Sequence, residues 1–214
     1  MAKNVIIIGG GGLAYESYLY LGDVMREDSS VSFGGFAAPE CPTLKNYSME
    51  SMNMGPEETI PAREGDFYVI GVANPAVRKR IFESLKERGK RLFNLIHPSA
   101  RISAHTLANM GDGNIFAPYS GASSVSLGDC NVVNCFSGFA HDTHVGSFNV
   151  ISSYCDICGY VKIGDCNFLG SHAALLPKAK IGSMNKIAAA SVVYKGCGDG
   201  VIMLGNPAEI IGDA

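Results

Sequence analysis

A six-residue repeat fills the second half of this chain and restricts its fold more than any other feature. Counted in sixes from Ile115 to Val193, every position except Gly121 and Phe139 is Ile, Leu or Val. An aliphatic residue at each sixth position indicates short strands that all bury one side chain at the same place. From His97 onward the helical periodicity seen earlier in the chain is absent. The second half is therefore predicted to be all β.

An eighteen-residue repeat is superposed on the six. Three hexads per turn predict three short strands per coil, so that the coil is a triangular prism of parallel strands about 4.8 Å apart. Glycines are expected at corners, where a positive φ or a tight bend is required. A further corner, Met110-Gly-Asp112, fits the pattern if one residue is missing before Ile115. The segments that recur at this spacing are Leu127-Gly-Asp, Val145-Gly-Ser, Ile163-Gly-Asp and Ile181-Gly-Ser.

The first part of the chain alternates between strand and helix patterns. A buried strand is predicted at residues 5–8, followed by four glycines and a helix at 14–25. Further strands are predicted at 31–36, 67–71 and 92–96, and an amphipathic helix at 77–88, whereas residues 39–63 have weak periodicity. The chain is therefore predicted to combine an α/β Rossmann-like domain at 1–95 with a parallel β-helix at 96–214.

Composition and charge limit the partners. The chain is 47% hydrophobic and 17% charged, which supports a packed core. A net charge of −3 provides no basic surface for nucleic acid or an anionic membrane. No apolar run approaches the roughly 18 residues of a membrane span. We expect neither nucleic acid nor membrane as a partner.

Seven cysteines, an odd number spread through a long chain, are typical of reduced thiols in a cytoplasmic protein. Cys155 and Cys158 form a CxxC, but no second CxxC follows and both lie inside the repeat. They are expected to be wall residues of the coil, and no metal is assigned to them.

His141 is a candidate catalytic residue because of its place in the repeat. It is the third residue of its hexad, a polar position held elsewhere by Asp129, Ser147, Asp165 and Ser183. That position predicts a side chain facing outward at a corner. Histidine is also the side chain best suited to accept a proton near neutral pH.

The chain as a whole resembles a known family. The repeat is similar to that of the hexapeptide-repeat acyltransferases, as is the closing Gly205-Asn206-Pro207-Ala208. The order of a glycine-rich α/β domain, His97-Pro-Ser99 and the coil resembles the NeuD/PglD-like sugar acetyltransferases. The resemblance is strong from Asn134 to Gly146 and weaker before residue 65. It implies a left-handed coil, a homotrimer with sites between subunits, acetyl-CoA as co-substrate, and a sugar nucleotide or sialic acid as acceptor.

Three residues of the strongly similar segment receive roles by this resemblance. His141 is the general base, and Asp142 is the acidic partner that orients it, although Asp for Glu shortens the reach by one methylene. Asn134 matches a position that lines the site, while a buried asparagine ladder inside the coil is an equally open interpretation. His144 is expected at the surface.

Acetyl-CoA contacts follow from the same resemblance. Gly159 is expected to stabilise the developing oxyanion with its backbone N–H. Together with Ser171 and Ala189, it is expected to line the acetyl-CoA groove between adjacent subunits. Four lysines are candidates for the CoA phosphates, with a solvated role as the alternative for each: Lys178, Lys180, Lys186 and Lys195.

The glycine turn at residues 9–14 satisfies G-x-G-x-x-A between a strand and a helix, which suits a pyrophosphate. NAD is disfavoured, because no acidic residue ends the second strand. In the resembling family this turn and the region of Asn74 hold the sugar nucleotide, which assigns Gly11, Gly12, Leu13 and Asn74 to substrate binding. The family often has His at the place of Leu13, and acidic residues at those of Ala37 and Ala38.

The favoured hypothesis is an acetyl-CoA-dependent N-acetyltransferase for the amino group of a nucleotide-linked amino sugar, such as a UDP-4-amino-4,6-dideoxy sugar. O-acetylation of sialic acid or a related sugar is the close alternative. A zinc lyase of the carbonic-anhydrase type would require three converging histidines. His172 follows His141 by 31 residues, which is not a multiple of 18 and places it on another side of the coil. A non-catalytic scaffold is the last alternative.

Overall fold

The N-terminal part is a small α/β unit. A computed structural model describes residues 2–61 and 63–214 of the chain. The elements of the unit are β1 Lys3–Ile8, α1 Gly12–Glu27, β2 Val31–Ala37, α2 Pro42–Asn46, 3-10 turns at Glu50–Met52 and Glu57–Thr59, β3 Asp66–Ile70, α3 Pro75–Glu87 and β4 Arg91–Leu92. Its sheet is parallel, in the order β2-β1-β3-β4. This arrangement confirms the predicted strand–helix alternation, in a unit smaller than a complete Rossmann domain.

The remaining strands form a three-sided parallel coil, as the repeat predicts. The first face is an eight-stranded sheet of β5 Leu95–Ile96, β7 Ile115–Phe116, β10 Val132–Val133, β13 Val150–Ile151, β16 Phe168–Leu169, β19 Lys186–Ile187, β22 Val201–Gly205 and β23 Ala208–Asp213. The second face holds β6 Arg101–Ile102, β8 Gly121–Ala122, β11 Gly138–Phe139, β14 Asp156–Ile157, β17 Ala174–Leu175 and β20 Val192–Val193. The third face holds β9 Val125–Leu127, β12 Thr143–Val145, β15 Lys162–Ile163, β18 Lys180–Ile181 and β21 Gly196–Cys197. An antiparallel pair, β22 with β23, closes the coil.

The predicted strand at 92–96 is divided between the two parts. β4 completes the α/β sheet, and β5 pairs with β7 as the first strand of the coil. The coil also contains a short helix that the repeat did not predict, α4 Ala104–Ala108. The Ser103 side chain caps it by accepting a hydrogen bond from the Thr106 N–H.

The predicted phase of the repeat is wrong at its start. β7 pairs with β10 so that Phe116, and not Ile115, is aligned with the inward Val133. In the same way Ala122, and not Gly121, is aligned with the inward Phe139. The missing residue therefore lies between Ala122 and Leu127 and not before Ile115. From Leu127 to Val193 every sixth side chain is buried in the core, as predicted.

The expected role of the corner glycines is also wrong. A positive φ occurs at every sixth residue from Cys130 to Ala190, and none of these residues is glycine. The recurring glycines lie elsewhere in the hexad and permit close coil spacing. A Cβ on Gly128 would lie 2.8 Å from the backbone of Gly146 in the next coil. Close approach, and not backbone conformation, thus requires glycine at this repeated position.

A ladder of buried asparagines runs along the coil. The Asn149 Nδ2 donates to Oδ1 of Asn131 and to the backbone carbonyl of Gly164, and the Asn149 Oδ1 accepts from the backbone N–H and Nδ2 of Asn167. Such bonds satisfy the buried side-chain nitrogens of the ladder from Asn114 to Asn167, whereas Nδ2 of Asn185 has no partner among the described residues. The ladder residues are Asn114, Asn131, Asn149, Asn167 and Asn185.

The α/β unit packs on the first face of the coil. Tyr20 and Leu21 of α1 share a core with the outward side chains Ile115, Val132 and Val150. On the other side of the unit, the ring of Phe82 in α3 lies 5.1 Å from that of Phe148. No helix within the described residues is long and apolar enough to span a bilayer.

Candidate active site

His141 and Asp142 form a hydrogen-bonded pair on the second corner of the coil, between its second and third faces. Nδ1 of His141 lies 2.8 Å from Oδ2 of Asp142, and both side chains are more than half exposed. Asp142 has a φ of 58°, the left-handed conformation of this corner. When Nδ1 donates its proton to the carboxylate, Nε2 keeps a lone pair that can accept a proton from outside. The outward orientation predicted for His141 is confirmed.

Gly159 lies directly beside the His141 imidazole, one coil further along. A Cβ on Gly159 would be 2.9 Å from Cε1 and 3.0 Å from Nε2 of His141. Any side chain here would therefore displace the ring. The Gly159 carbonyl accepts from the Lys178 N–H, whereas its own N–H has no acceptor among the described residues. A free backbone donor thus lies next to the free nitrogen of the histidine.

Tyr160 closes one side of this corner. Its ring stands at 89° to the imidazole with the centroids 5.1 Å apart, and its N–H donates to the His141 carbonyl. The edge-to-face contact restricts the imidazole without occupying either of its nitrogens. Sequence reasoning did not single out Tyr160, although its spacing of 19 from His141 implies a neighbouring position.

The other two residues predicted to bind acetyl-CoA lie elsewhere in a single chain. Ser171 and Ala189 are on the first corner, between the first and second faces, where the Ala190 N–H donates to the Ser171 carbonyl. Asn134 is also on the first corner, and its Oδ1 accepts from the Cys135 N–H. Asn134 is therefore outside the asparagine ladder, so the ladder interpretation of this residue is wrong. Of the three residues predicted to bind acetyl-CoA, only Gly159 lies beside His141 within one chain.

The first corner carries a stack of exposed rings, defined here as the aromatic ladder: Tyr119, Phe136, Tyr154 and His172. Successive ring centroids are 5.1, 4.9 and 4.9 Å apart, and the rings are nearly parallel. A groove of about 570 Å³ runs beside the ladder over the bare backbone of Gly121 and Gly138. Its other lining residues include Arg101 and Asp156. Sequence reasoning did not single out this groove, although the spacing of the four rings, 17, 18 and 18 residues, matches the repeat of the coil and places them at one corner.

A second cavity, of about 540 Å³, lies at the carboxyl ends of β1 and β2, between β2 and α3. This cavity, called the sugar-side cavity after the sugar nucleotide that the family resemblance implies here, is lined by Gly9 and Gly10 of the glycine turn and by Val72 after β3. A Cβ on Gly10 would collide with the backbone of Glu40 and Cys41, which explains why that residue is glycine. Crevices at the carboxyl ends of parallel strands are the usual ligand sites of such sheets.

The four residues predicted to bind substrate lie around this cavity but outside its lining. Gly11 is the N-cap of α1 and Gly12 its first residue, and Leu13 packs in the apolar core. Asn74 caps α3, with its Oδ1 accepting from the Val77 N–H at 3.1 Å.

Charged residues that sequence reasoning missed line the sugar-side cavity: Glu40, Glu57, Glu58 and Arg80. Three of them belong to the segment without clear periodicity. Glu57 is nearly buried and forms an ion pair with Arg88 at 3.0 Å. Burial raises the pKa of the Glu57 carboxyl above its ordinary value. The repulsion of Glu58 acts in the same direction, while Arg88 opposes it.

His97, in the His-Pro-Ser segment, links α1 to the coil. Its Nε2 lies 2.8 Å from Oδ2 of Asp23, and its Nδ1 lies 2.8 Å from Oγ of Ser99. Ser99 Oγ in turn accepts from the Tyr119 N–H. The Ser99 N–H also donates to Nδ1 of His97. The hydrogen bonds among Ser99, His97 and Asp23 therefore stabilise a turn and link the α/β unit to the coil.

The remaining histidines and cysteines lie apart from one another. His141, His144 and His172 occupy the second corner, the third face and the first corner. Across residues 2–61 and 63–214, no three His, Cys, Asp or Glu side chains are grouped as a metal site. Cys155 is buried in the wall of the coil, and burial raises the pKa of its thiol to about 11. The four lysines named above are all exposed.

No protein-family model matches the chain. Several solved structures share its fold over almost the full length. One is a histidine-to-asparagine variant of perosamine N-acetyltransferase from Caulobacter crescentus in complex with CoA and GDP-perosamine, which is 24% identical with a TM-score of 0.87 and covers 100% of this chain and 99% of that chain.

Two other structures are similar at 21% identity. The acetyltransferase domain of PglB from Neisseria gonorrhoeae has a TM-score of 0.84, covering 98% of this chain and 100% of that chain. WeeI from Acinetobacter baumannii has a TM-score of 0.82 with the same coverage. At these identities the likeness establishes the fold: an α/β unit followed by a parallel coil.

Proposed function

We propose that this protein is an acetyl-CoA-dependent N-acetyltransferase that acts on the amino group of a nucleotide-linked amino sugar. The observation that carries the proposal is the group on the second corner: an exposed His141 paired with Asp142, beside the free N–H of Gly159. The similar enzyme from Caulobacter crescentus is a sugar N-acetyltransferase described in complex with CoA and GDP-perosamine. The PglB domain is described in complex with acetyl coenzyme A.

His141 acts as the general base in the proposed reaction. Nε2 accepts a proton from the sugar amine as its nitrogen attacks the thioester carbonyl carbon, so that the new C–N bond forms without a cation building up. Asp142 holds the Nδ1–H and stabilises the imidazolium. The C–S bond then breaks, and the departing CoA sulfur takes the proton from Nε2. Transfer is direct, in a ternary complex.

Gly159 supplies the electrostatic part of the proposed mechanism. As the amine attacks, negative charge develops on the thioester oxygen. A fixed backbone N–H is an effective donor to such an oxyanion because it needs no reorganisation. The N–H of Gly159 has no other acceptor among the residues described and lies beside the base. These two features fit an acyl thioester at this corner.

The active unit is proposed to be a homotrimer with sites between subunits. In a three-sided coil the second corner is opposite the first face, and the first face carries the α/β unit. The sugar-side cavity of one chain therefore lies across the coil from its own His141. Ser171 and Ala189 are likewise on a different corner from Gly159. A neighbouring copy is needed to bring these groups together.

Two further features of the proposed enzyme are supported by the family resemblance. One is the left-handed sense of the coil. The other is the Rossmann-like, sugar-nucleotide-binding role of residues 1–95, with acetyl-CoA bound by residues 96–214. Gly11, Gly12, Leu13 and Asn74 are proposed to lie near the bound sugar nucleotide at the edge of the sugar-side cavity.

The proposal is tested by measuring CoA release from acetyl-CoA with a panel of uridine, guanosine and cytidine diphospho-amino sugars. Release is expected with at least one amino sugar and not with its hydroxyl counterpart. His141→Ala should lower kcat/KM by about 10²–10⁴-fold, the usual contribution of a general base. The matched control is His144→Ala, an exposed histidine on the same coil, which should keep full activity. Full activity in His141→Ala would overturn the proposal.

The assignment of the site to two copies has its own test. His141→Ala and Arg80→Glu variants are expected to be inactive separately, the second because it reverses a charge in the sugar-side cavity. Co-expression should yield mixed trimers that contain one intact site, and activity should partly return. No recovery in verified mixed trimers would mean that each chain contains a complete site.

A further inference from the structure

Arg78 is a fully buried cation at the junction of the two parts of the molecule. It belongs to α3 and has no exposed surface. Desolvation lowers the pKa of its guanidinium to about 10, so it stays protonated at neutral pH. It forms no ion pair with a carboxylate among the described residues. Burying a charge without a counterion costs free energy, which hydrogen bonds to the charged group must offset.

The guanidinium donates only to backbone carbonyls, and these come from both parts of the molecule. Nη1 donates to the carbonyls of Ile70 at 2.6 Å and Val72 at 2.8 Å, at the end of β3. Nε donates to the carbonyl of Cys130 in the coil at 2.9 Å. The rigid planar fork therefore holds the carboxyl end of β3 at a fixed distance from the coil.

The segment that Arg78 holds is a wall of the sugar-side cavity. Val72 lines that cavity, and Gly71 lies between the two bonded carbonyls. A Cβ on Gly9 would be 2.7 Å from the Gly71 oxygen, and a Cβ on Gly71 would be 2.7 Å from Cα of Ala14. The end of β3 thus packs against both the glycine turn and the first turn of α1. A displacement of residues 70–72 would alter the cavity.

We propose that Arg78 is a positioning residue for the sugar nucleotide. By tying residues 70–72 to the coil, it fixes both the shape of the sugar-side cavity and the place of that cavity relative to the coil. This inference depends on the proposed function for the identity of the ligand. The mechanical link itself is independent of that identity.

Lys86 provides a matched control, because it also joins α3 to the coil. Its Nζ lies 3.0 Å from Oδ2 of Asp112, with both side chains about half exposed. An exposed pair of this kind contributes little to stability. Lys86→Met therefore removes a link between the same two elements without touching the end of β3.

The link is tested first without any ligand. Arg78→Lys keeps a charge in the site but cannot hold three carbonyls in the same fork, and Arg78→Met removes the charge at similar length. In hydrogen–deuterium exchange, amides of residues 70–73 should exchange about tenfold faster in Arg78→Lys, consistent with loss of one hydrogen bond to a charged donor. Arg78→Met should show a larger increase, and Lys86→Met none. Unchanged exchange in a folded Arg78→Lys protein would overturn the inference.

Kinetics give the second readout. Arg78→Lys should raise the KM of the sugar nucleotide by about tenfold while leaving the KM of acetyl-CoA unchanged. Equal changes in both KM values would indicate a general structural effect and would overturn the positioning role. If the unaltered protein releases no CoA with any acceptor, the proposed function fails. The exchange experiment still decides whether Arg78 fixes the end of β3.

Discussion

The coil and the α/β unit maintain their structures in different ways. In the coil the same environments recur: an inward apolar side chain and a left-handed corner at every sixth residue, and a buried asparagine at every eighteenth from Asn131 to Asn185. In the α/β unit, each position has its own partners, such as Asn53 bonded to the backbone of Ala38, or Glu57 to Arg88.

This difference determines where function can arise. The backbone of the coil is the same in every turn. A functional group can therefore arise only where the residue at one position of the repeat differs from its equivalents in other turns, as His141 and Gly159 do. The α/β unit has no repeat, and its cavity is formed by segments distant in the sequence. The effect of a substitution in the coil should therefore depend on its position in the repeat. The effect of a substitution in the α/β unit should depend on the contacts of that one residue.

The largest effect is expected from Asn149→Ala in the buried ladder. The substitution leaves the Asn167 N–H and the Gly164 carbonyl without partners inside the coil. The free energy of unfolding should fall by about 3 kcal/mol, measured by denaturant titration. Asn134→Ala is the control. Its side chain bonds only to the next N–H, so the loss should stay below about 1 kcal/mol. Equal losses would show that the ladder is not special.

Gly159→Ala should mainly affect catalysis. The new Cβ would lie 2.9 Å from Cε1 of His141, so the exposed imidazole must move while the coil remains intact. We expect kcat to fall about 10²-fold, as for other small misplacements of a catalytic group, with an unchanged melting temperature. Gly198→Ala is the control, because a Cβ there meets nothing within 4 Å. A normal kcat in Gly159→Ala would show that Gly159 is not part of the active site.

Two glycines in one turn of the α/β unit should respond with opposite signs. Gly10→Ala brings a Cβ to 2.6 Å from Cα of Cys41, and overpacking of this kind costs about 1–3 kcal/mol. Gly12→Ala, at the first position of α1, has free space and should be neutral or stabilising by up to about 1 kcal/mol. Thermal unfolding of both variants measures the difference. The same sign for both would show that contacts at the turn are not specific.

The smallest effect concerns the pH dependence of the α/β unit. Burial raises the pKa of Glu57 above its unfolded-state value, so the folded protein binds this proton more tightly. The resulting stability is complete below the ordinary carboxyl pKa and is lost as pH rises through the folded-state pKa. Glu57→Gln should flatten that slope in unfolding measurements. The control is Glu83→Gln, which replaces an exposed carboxylate paired with Lys79 and keeps Glu57, so the slope that Glu57 causes should persist.

Sequence patterns predicted the two parts at different accuracy. The eighteen-residue period, the three faces and the outward His141 follow from a local rule, and the structure has them. The starting phase failed because a single missing residue between Ala122 and Leu127 moves Ile115 from the interior of the coil to its outer side, where the α/β unit buries it. The role of glycine failed because the repeated glycines respond to the next coil, which the local sequence does not describe.

The lining of the sugar-side cavity was predicted least well. The glycine turn was recognised because its motif is local, and Gly9 and Gly10 line the cavity, whereas Gly11, Gly12, Leu13 and Asn74 lie outside the lining. Glu57 and Glu58 were not predicted, since they reach the cavity through the packing of a segment without periodicity. Arg80 was not predicted either, because the pattern of its helix α3 does not show what the helix faces. In the sequence Arg78 is indistinguishable from the other charged residues of an amphipathic helix. Only its hydrogen bonds to the carbonyls of Ile70, Val72 and Cys130 show that it is buried and joins β3 to the coil.

By itself the sequence determined the β-coil, its period and the place of His141, because a repeat imposes the same short-range geometry on every turn. Only the tertiary structure decided which groups meet. It placed Gly159 against the imidazole and put the sugar-side cavity across the coil from that imidazole. Arg78 became the link between the two parts in the same way. Such contacts join residues far apart in the chain, and their geometry depends on how whole elements pack.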